Sequence, residues 1–73
     1  MSARSVVYPN PSRGVVYVSD ARSADVVIVY SGSGVLLGRY SLSLPGGGID
    51  LSGLDAGLYI LEYKGIRHRI IIE

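Results

Sequence analysis

Apolar side chains recur in this sequence at every second residue, and Gly, Pro, Asn and Ser interrupt them at short intervals. A period of two places alternate side chains on opposite faces of an extended chain, so it specifies strands. No stretch carries the 3.6-residue period of an amphipathic helix of useful length. The run Leu58–Tyr63 is the clearest case, with Tyr59, Leu61 and Tyr63 on one face and Leu58, Ile60 and Glu62 on the other. Glu62 marks the wetter face, which predicts that the tyrosine–leucine face looks inward.

The same reading along the chain predicts about seven short strands. The first holds Val6, Val7 and Tyr8, and Pro9-Asn10-Pro11 ends it by fixing two φ angles. Gly14 opens a second over Val15–Ser19. Residues Asp25–Ser31 are nearly all apolar, which predicts a strand buried on both faces or central to a sheet. Ser31-Gly32-Ser33-Gly34 is a hairpin turn, Val35–Ser43 is the return strand, and Pro45-Gly46-Gly47-Gly48 breaks it as a flexible connection. Ile49–Leu51 is a short strand. After Leu58–Tyr63, Lys64-Gly65 turns the chain into a last strand, with Ile66, His68, Ile70 and Ile72 on one face and Arg67 and Arg69 on the other. Strands at this spacing, joined by Gly/Pro turns, predict an all-β fold, a small antiparallel Ig-like β-sandwich.

At 73 residues the chain has room for one domain, here residues 6–73 behind a linker or artificial start at residues 1–5. It has no cysteine, so neither disulfides nor thiolate metal sites hold it, and a dense apolar core must. The 48% hydrophobic content allows that. A net charge of +1 leaves no electrostatic footprint for nucleic acid. No apolar stretch approaches the ~18–20 residues that span a bilayer. Residues 1–5 read MSARS, which lacks the apolar region of a signal peptide. An exported parent would carry its export signal elsewhere.

Candidate chemistry is sparse. His68 is the one histidine, set between two arginines, with no spacing that supplies a triad or a zinc site. Gly32-Ser33-Gly34 with Gly38 departs from a dinucleotide fingerprint, and no helix follows it. Asp20, Asp25, Asp50 and Asp55 lie at strand ends or in loops without a calcium-loop pattern, and turn roles account for them. Tyr17, Tyr30, Tyr59 and Tyr63 fall within strands as core or boundary residues. Arg67 and Arg69, with Lys64, form a basic patch that is either a solvated strand face or a docking feature. The residues call for no catalytic site, no metal and no cofactor, so no enzyme.

Three stretches resemble one family. Val7-Tyr8-Pro9-Asn10-Pro11-Ser12-Arg13-Gly14 resembles the "YPNPS-x-G" opening of type IX secretion C-terminal sorting domains of Bacteroidetes. Ile49-Asp50-Leu51-Ser52-Gly53-Leu54-Asp55-Ala56-Gly57-Leu58-Tyr59 resembles that family's "DLSGLPAGVY". Val27 to Gly34 is similar to its "V-x-I-Y-D-x-x-G" strand and turn, and the apolar strand after a basic hairpin also fits. The likeness runs from Val6 to Glu73. Three departures stand out: Asp55 for the usual proline, Ser31 for aspartate, and arginines where lysines are more usual in the tail.

The resemblance implies a detachable label on exported cargo, with no chemistry of its own. The implied partners are the cargo fused N-terminally, the type IX translocon, and a sortase-like cysteine protease that cuts at or before Val6. The implied route runs through the periplasm to the outer-membrane surface or the extracellular space, without membrane insertion. The expected docking residues are Arg67, Arg69 and the terminal strand Ile70, Ile71, Ile72 and Glu73, because an edge strand offers unpaired backbone groups. The expected structural residues are Pro9, Asn10, Pro11, Gly14, Asp50, Leu51, Ser52, Gly53, Leu54, Gly57 and Tyr59. Among these, Pro9, Asn10 and Pro11 rigidify the domain's opening, and Gly53 and Gly57 permit angles that a Cβ disfavours. Asp50 and Ser52 cap the loop amides, and Leu51 and Leu54 tuck under the sandwich end. The alternative reading is a non-catalytic carbohydrate- or protein-adhesion module that would use exposed tyrosines such as Tyr40.

Overall fold

The structure, a computed structural model, describes residues 6–19, 21–22 and 25–73. The expected linker at residues 1–5 and the turn aspartate Asp20 lie outside them. The described residues form seven strands: β1 Val7–Tyr8, β2 Val15–Val18, β3 Val26–Ser31, β4 Leu36–Ser41, β5 Gly48–Asp50, β6 Gly57–Tyr63 and β7 Ile66–Ile72. Two antiparallel sheets result, one of three strands in the order β1-β2-β5 and one of four in the order β4-β3-β6-β7. This is the predicted all-β, Ig-like sandwich.

The alternation that defines the strands also builds the core. Val7, Val16, Val18 and Ile49 face inward from the smaller sheet, and Val27, Val29, Tyr59, Leu61, Tyr63, Ile70 and Ile72 from the larger. Leu42 and Leu51 close the cluster, and Leu54 packs against it as expected. Valine and isoleucine suit this role because their branched side chains are already stiff in an extended backbone.

β3 is central to its sheet, paired with both β4 and β6, as expected, and Val26 on its outer face is 38% exposed. Three expectations need correction. β4 is shorter than Val35–Ser43, running from Leu36 to Ser41, with a register shift at Val29/Tyr30 near its hairpin end. The Gly46-Gly47-Gly48 run is no flexible connection. Gly47 and Gly48 both donate their N–H to the Leu44 carbonyl, and Gly48 is already in β5. Tyr40 is not an exposed tyrosine, since it packs against the core.

The departure at residue 31 leaves its turn intact. Ser31 Oγ accepts the Val35 N–H at 3.1 Å, which is the contact an aspartate oxygen would supply.

Candidate functional site: the terminal strand and its neighbours

β7 is an edge strand, and its pairing with β6 decides which backbone groups point away from the sheet. Residues 66, 68, 70 and 72 face β6, so the outward groups belong to Arg67, Arg69, Ile71 and Glu73. The opening of the chain takes most of them. Asn10 Nδ2 donates to the Arg69 carbonyl at 3.2 Å, and Asn10 Oδ1 accepts the Ile71 N–H at 3.0 Å. The Ser12 N–H donates to the Ile71 carbonyl at 2.8 Å, and the Ser12 carbonyl accepts the Glu73 N–H at 2.8 Å. Ser12 and Ile72 form a parallel bridge. The expectation that Ile70–Glu73 presents unpaired backbone groups is therefore corrected: Asn10 and Ser12 occupy them.

Asn10 is well made for this. Its side-chain amide offers a donor group and an acceptor group side by side, as a peptide unit does. The nearby peptide bonds Tyr8-Pro9 and Asn10-Pro11 are both cis. Pro9 and Pro11 are exposed beside it, at the expected opening of the domain. Sequence reasoning gave Asn10 only a stiffening role and passed over Ser12. Ser12 is 2% exposed, and its hydroxyl donates to the Val15 carbonyl while accepting the Gly14 N–H. The signal was a lone small hydroxyl residue following two prolines.

The two most characteristic stretches of the sequence meet at Gly14. Its φ is +131°, and a Cβ there would lie 2.8 Å from Ser52 Cα, closer than packing permits. Its carbonyl accepts the Leu51 N–H at 2.7 Å. Gly57 also has positive φ, at 155°, but Gly53 does not, and a Cβ on Gly53 would meet nothing within 4 Å. The expected backbone need at Gly53 is thus corrected, because the tight approach falls on Gly14 instead.

The loop from Asp50 to Tyr59 is closed from both ends. Asp50 Oδ1 accepts the Ser52 N–H at 2.9 Å, so Asp50 is the cap and Ser52 the capped residue. Hydrogen bonds from the Ser52 hydroxyl and then its amide hold the Asp50 carboxyl below its ordinary value, against a small opposing effect of desolvation. The Tyr59 hydroxyl donates to the Asp55 carbonyl at 2.6 Å. A backbone carbonyl does this work, and proline has one too, so aspartate at 55 keeps the contact.

The docking residues expected on β7 divide by parity. Ile70 and Ile72 are in the core, whereas Arg67, Arg69, Ile71 and Glu73 are exposed. Arg67 lies 3.6 Å from Glu62 and stacks over the Tyr30 ring at 5.3 Å, and Tyr30 donates to Glu62 at 3.1 Å. Arg39 comes onto the same face from β4 through its pairing with Ile28. Sequence reasoning missed it, although it is a lone charge between apolar neighbours. His68 Nε2 is buried and has no hydrogen-bond partner among the described residues. No group of three or more His, Cys, Asp or Glu that could hold a metal occurs among them either.

The sequence model of the family described as "Secretion system C-terminal sorting domain" matches residues 6–73. No curated protein and no solved structure gives a match. The match covers nearly the whole chain, from the first residue of the Val6–Tyr8 stretch through β7. The chain therefore belongs to the type IX secretion C-terminal sorting domains, the family of signals that direct fused cargo across the outer membrane to the cell surface or beyond.

Proposed function

We propose that the type IX translocon reads this domain in its folded form, in the periplasm, and that the domain contributes recognition and no catalysis. The observation that carries this is the family match over residues 6–73. Folded-state reading is supported by the clasp of Asn10 and Ser12 on β7, which ties the first and last segments into one surface. In this reading Arg67, Arg69, Ile71 and Glu73 touch the partner, and Ile70 and Ile72 act by holding β7 in the core.

A sortase-like cysteine protease then cuts at or before Val6. A cut before Val6 leaves the strands whole, since they begin at Val7, and keeps the hydrogen bonds that tie the Val6 backbone to Ser19. The test is a periplasmic reporter fused to the full chain in a type IX-competent cell. The reporter is expected at the surface or in the medium, and its retention in the periplasm with a folded domain overturns the reading.

One observation favours the adhesion alternative. Tyr8 is 46% exposed and stacks on Tyr17 with ring centroids 5.7 Å apart, an aromatic surface of the kind that holds sugar rings. Glycan binding that is lost in Tyr8→Ala, with no effect on reporter export, would establish it instead.

A further inference from the structure

The outer face of the four-stranded sheet can be laid out row by row from its register. One row crosses the sheet as Arg39, Ile28, Glu62 and Arg67. The next runs Leu36, Tyr30, Ile60 and Arg69, and a third pairs Leu58 with Ile71. Val27, Val29, Tyr59, Leu61, Tyr63, Ile70 and Ile72 point the other way and are buried, so this face is the solvent side of the sheet. Leu36 is 60% exposed, Leu58 45% and Ile71 47%, so three large apolar side chains lie open to solvent on this face.

The arginines on this face outnumber its carboxylates. Arg39, Arg67 and Arg69 stand against Glu62 and, by the alternation of β7, Glu73, and Glu62 is already engaged by Tyr30 and Arg67. Neither Arg39 nor Arg69 has an ion pair among the described residues. The strands carry no lysine on this face, and an aromatic ring sits at its centre under an arginine. Tyrosine and arginine enriched around an apolar centre, with lysine absent, is the composition of protein–protein interfaces. A surface evolved for a polyanion would be densely basic without the leucines. A second copy using the same face would bring arginine against arginine.

We propose that this face docks an acidic protein surface of the type IX machinery, apolar at its centre and carboxylate-bearing at its rim. The proposal rests on the sorting reading and names the partner's chemistry. Guanidinium groups suit it because they grip carboxylates in a two-pronged fork that lysine cannot form.

The test uses the reporter fusion with the full chain, scored as the fraction of reporter outside the cell. Arg39→Glu with Arg69→Glu is expected to lower that fraction by about tenfold or more, because it sets like charges against the partner's carboxylates. The separate pair Leu58→Ser with Ile71→Ser is expected to act likewise. Arg13→Glu, in the exposed loop between β1 and β2, is expected to export like wild type. Circular dichroism melting of each purified chain fixes its folded state, and Arg39→Gln with Arg69→Gln replaces the reversal if that variant does not fold.

Export of folded double variants at the wild-type level overturns the proposal while leaving the sorting reading intact. Failure of the wild-type fusion itself overturns the sorting reading instead. Purified wild-type chain is also floated with vesicles of phosphatidylethanolamine and phosphatidylglycerol, with and without lipopolysaccharide. Arginine-dependent flotation identifies a lipid surface as the occupant and likewise overturns the protein partner.

Discussion

The side-chain amide of Asn10 holds the backbone of Ile71, its Oδ1 accepting the Ile71 N–H at 3.0 Å. The other end of the same amide donates to the Arg69 carbonyl. One side chain thus continues the sheet past its edge, and Ser12 continues it further. An edge strand with open backbone groups invites pairing with other chains, so the clasp also limits aggregation at the terminal strand.

Asn10→Ala is expected to cost about 1–2 kcal/mol, the net worth of two partly exposed hydrogen bonds. Asn10→Asp is expected to lose a similar amount. It keeps the acceptor for Ile71 but sets a carboxylate against the Arg69 carbonyl. Urea unfolding of the purified chain gives both values. An Asn10→Ala midpoint equal to wild type would mean the clasp contributes nothing to stability.

The strands and their faces were legible because period two is local. Tyr59, Leu61 and Tyr63 could be assigned to the core from six consecutive residues, and the structure buries all three. The clasp was not legible, because its partners are 59 and 61 residues apart and no periodicity encodes which loop covers which edge. The basic patch was read from β7 alone as Arg67 and Arg69. Its third arginine comes from β4, and only the register β4-β3-β6-β7 brings Arg39 onto that face. Glycine needs were half legible: a turn-rich loop suggested Gly53, but the requirement at Gly14 arises from a contact with Ser52 across the fold.

That contact makes a paired prediction. Gly14→Ala would place a Cβ 2.8 Å from Ser52 Cα, in a backbone region that L side chains avoid, and backbone cannot yield as a flexible side chain does. The expected cost is about 2–3 kcal/mol, in the range of strained or overpacked sites. Gly53→Ala meets open space at an ordinary φ. Its expected effect is within about 0.5 kcal/mol of zero. Thermal melts of the two variants side by side check the contrast, and equal destabilisation would overturn it.

Asp55 contributes its carbonyl to Tyr59, and its own N–H makes no hydrogen bond among the described residues. Asp55→Pro removes nothing the fold uses and restricts the unfolded chain. It is expected to stabilise the domain by about 0.4–1 kcal/mol. Tyr59→Phe, which removes the hydroxyl and leaves the ring in the core, is expected to cost about 1 kcal/mol. A destabilised Asp55→Pro in urea titration would show that the loop's φ at this position differs from proline's.

The acid limb of stability is expected to run through Asp25. Its carboxyl accepts the Tyr63 hydroxyl at 2.6 Å and the Arg22 N–H at 2.9 Å. The Tyr63 hydrogen bond first, then the Arg22 amide, hold the Asp25 carboxyl below its ordinary value of 3.8; Lys64 and Arg22 add smaller attractions, and desolvation opposes them. A folded value below the unfolded one means the unfolded chain binds the proton more readily. The stabilising contribution is then fully present above the unfolded value and is lost as pH falls through the lowered folded value. Asp50, held low by Ser52, acts in the same direction and the same window. Stability measured by urea unfolding is therefore expected to fall as the buffer drops through and below pH 3.8. Asp25→Asn is expected to flatten part of that fall, and Asp25→Asn with Asp50→Asn more of it. An acid limb unchanged in the double variant would place the responsible carboxylates elsewhere.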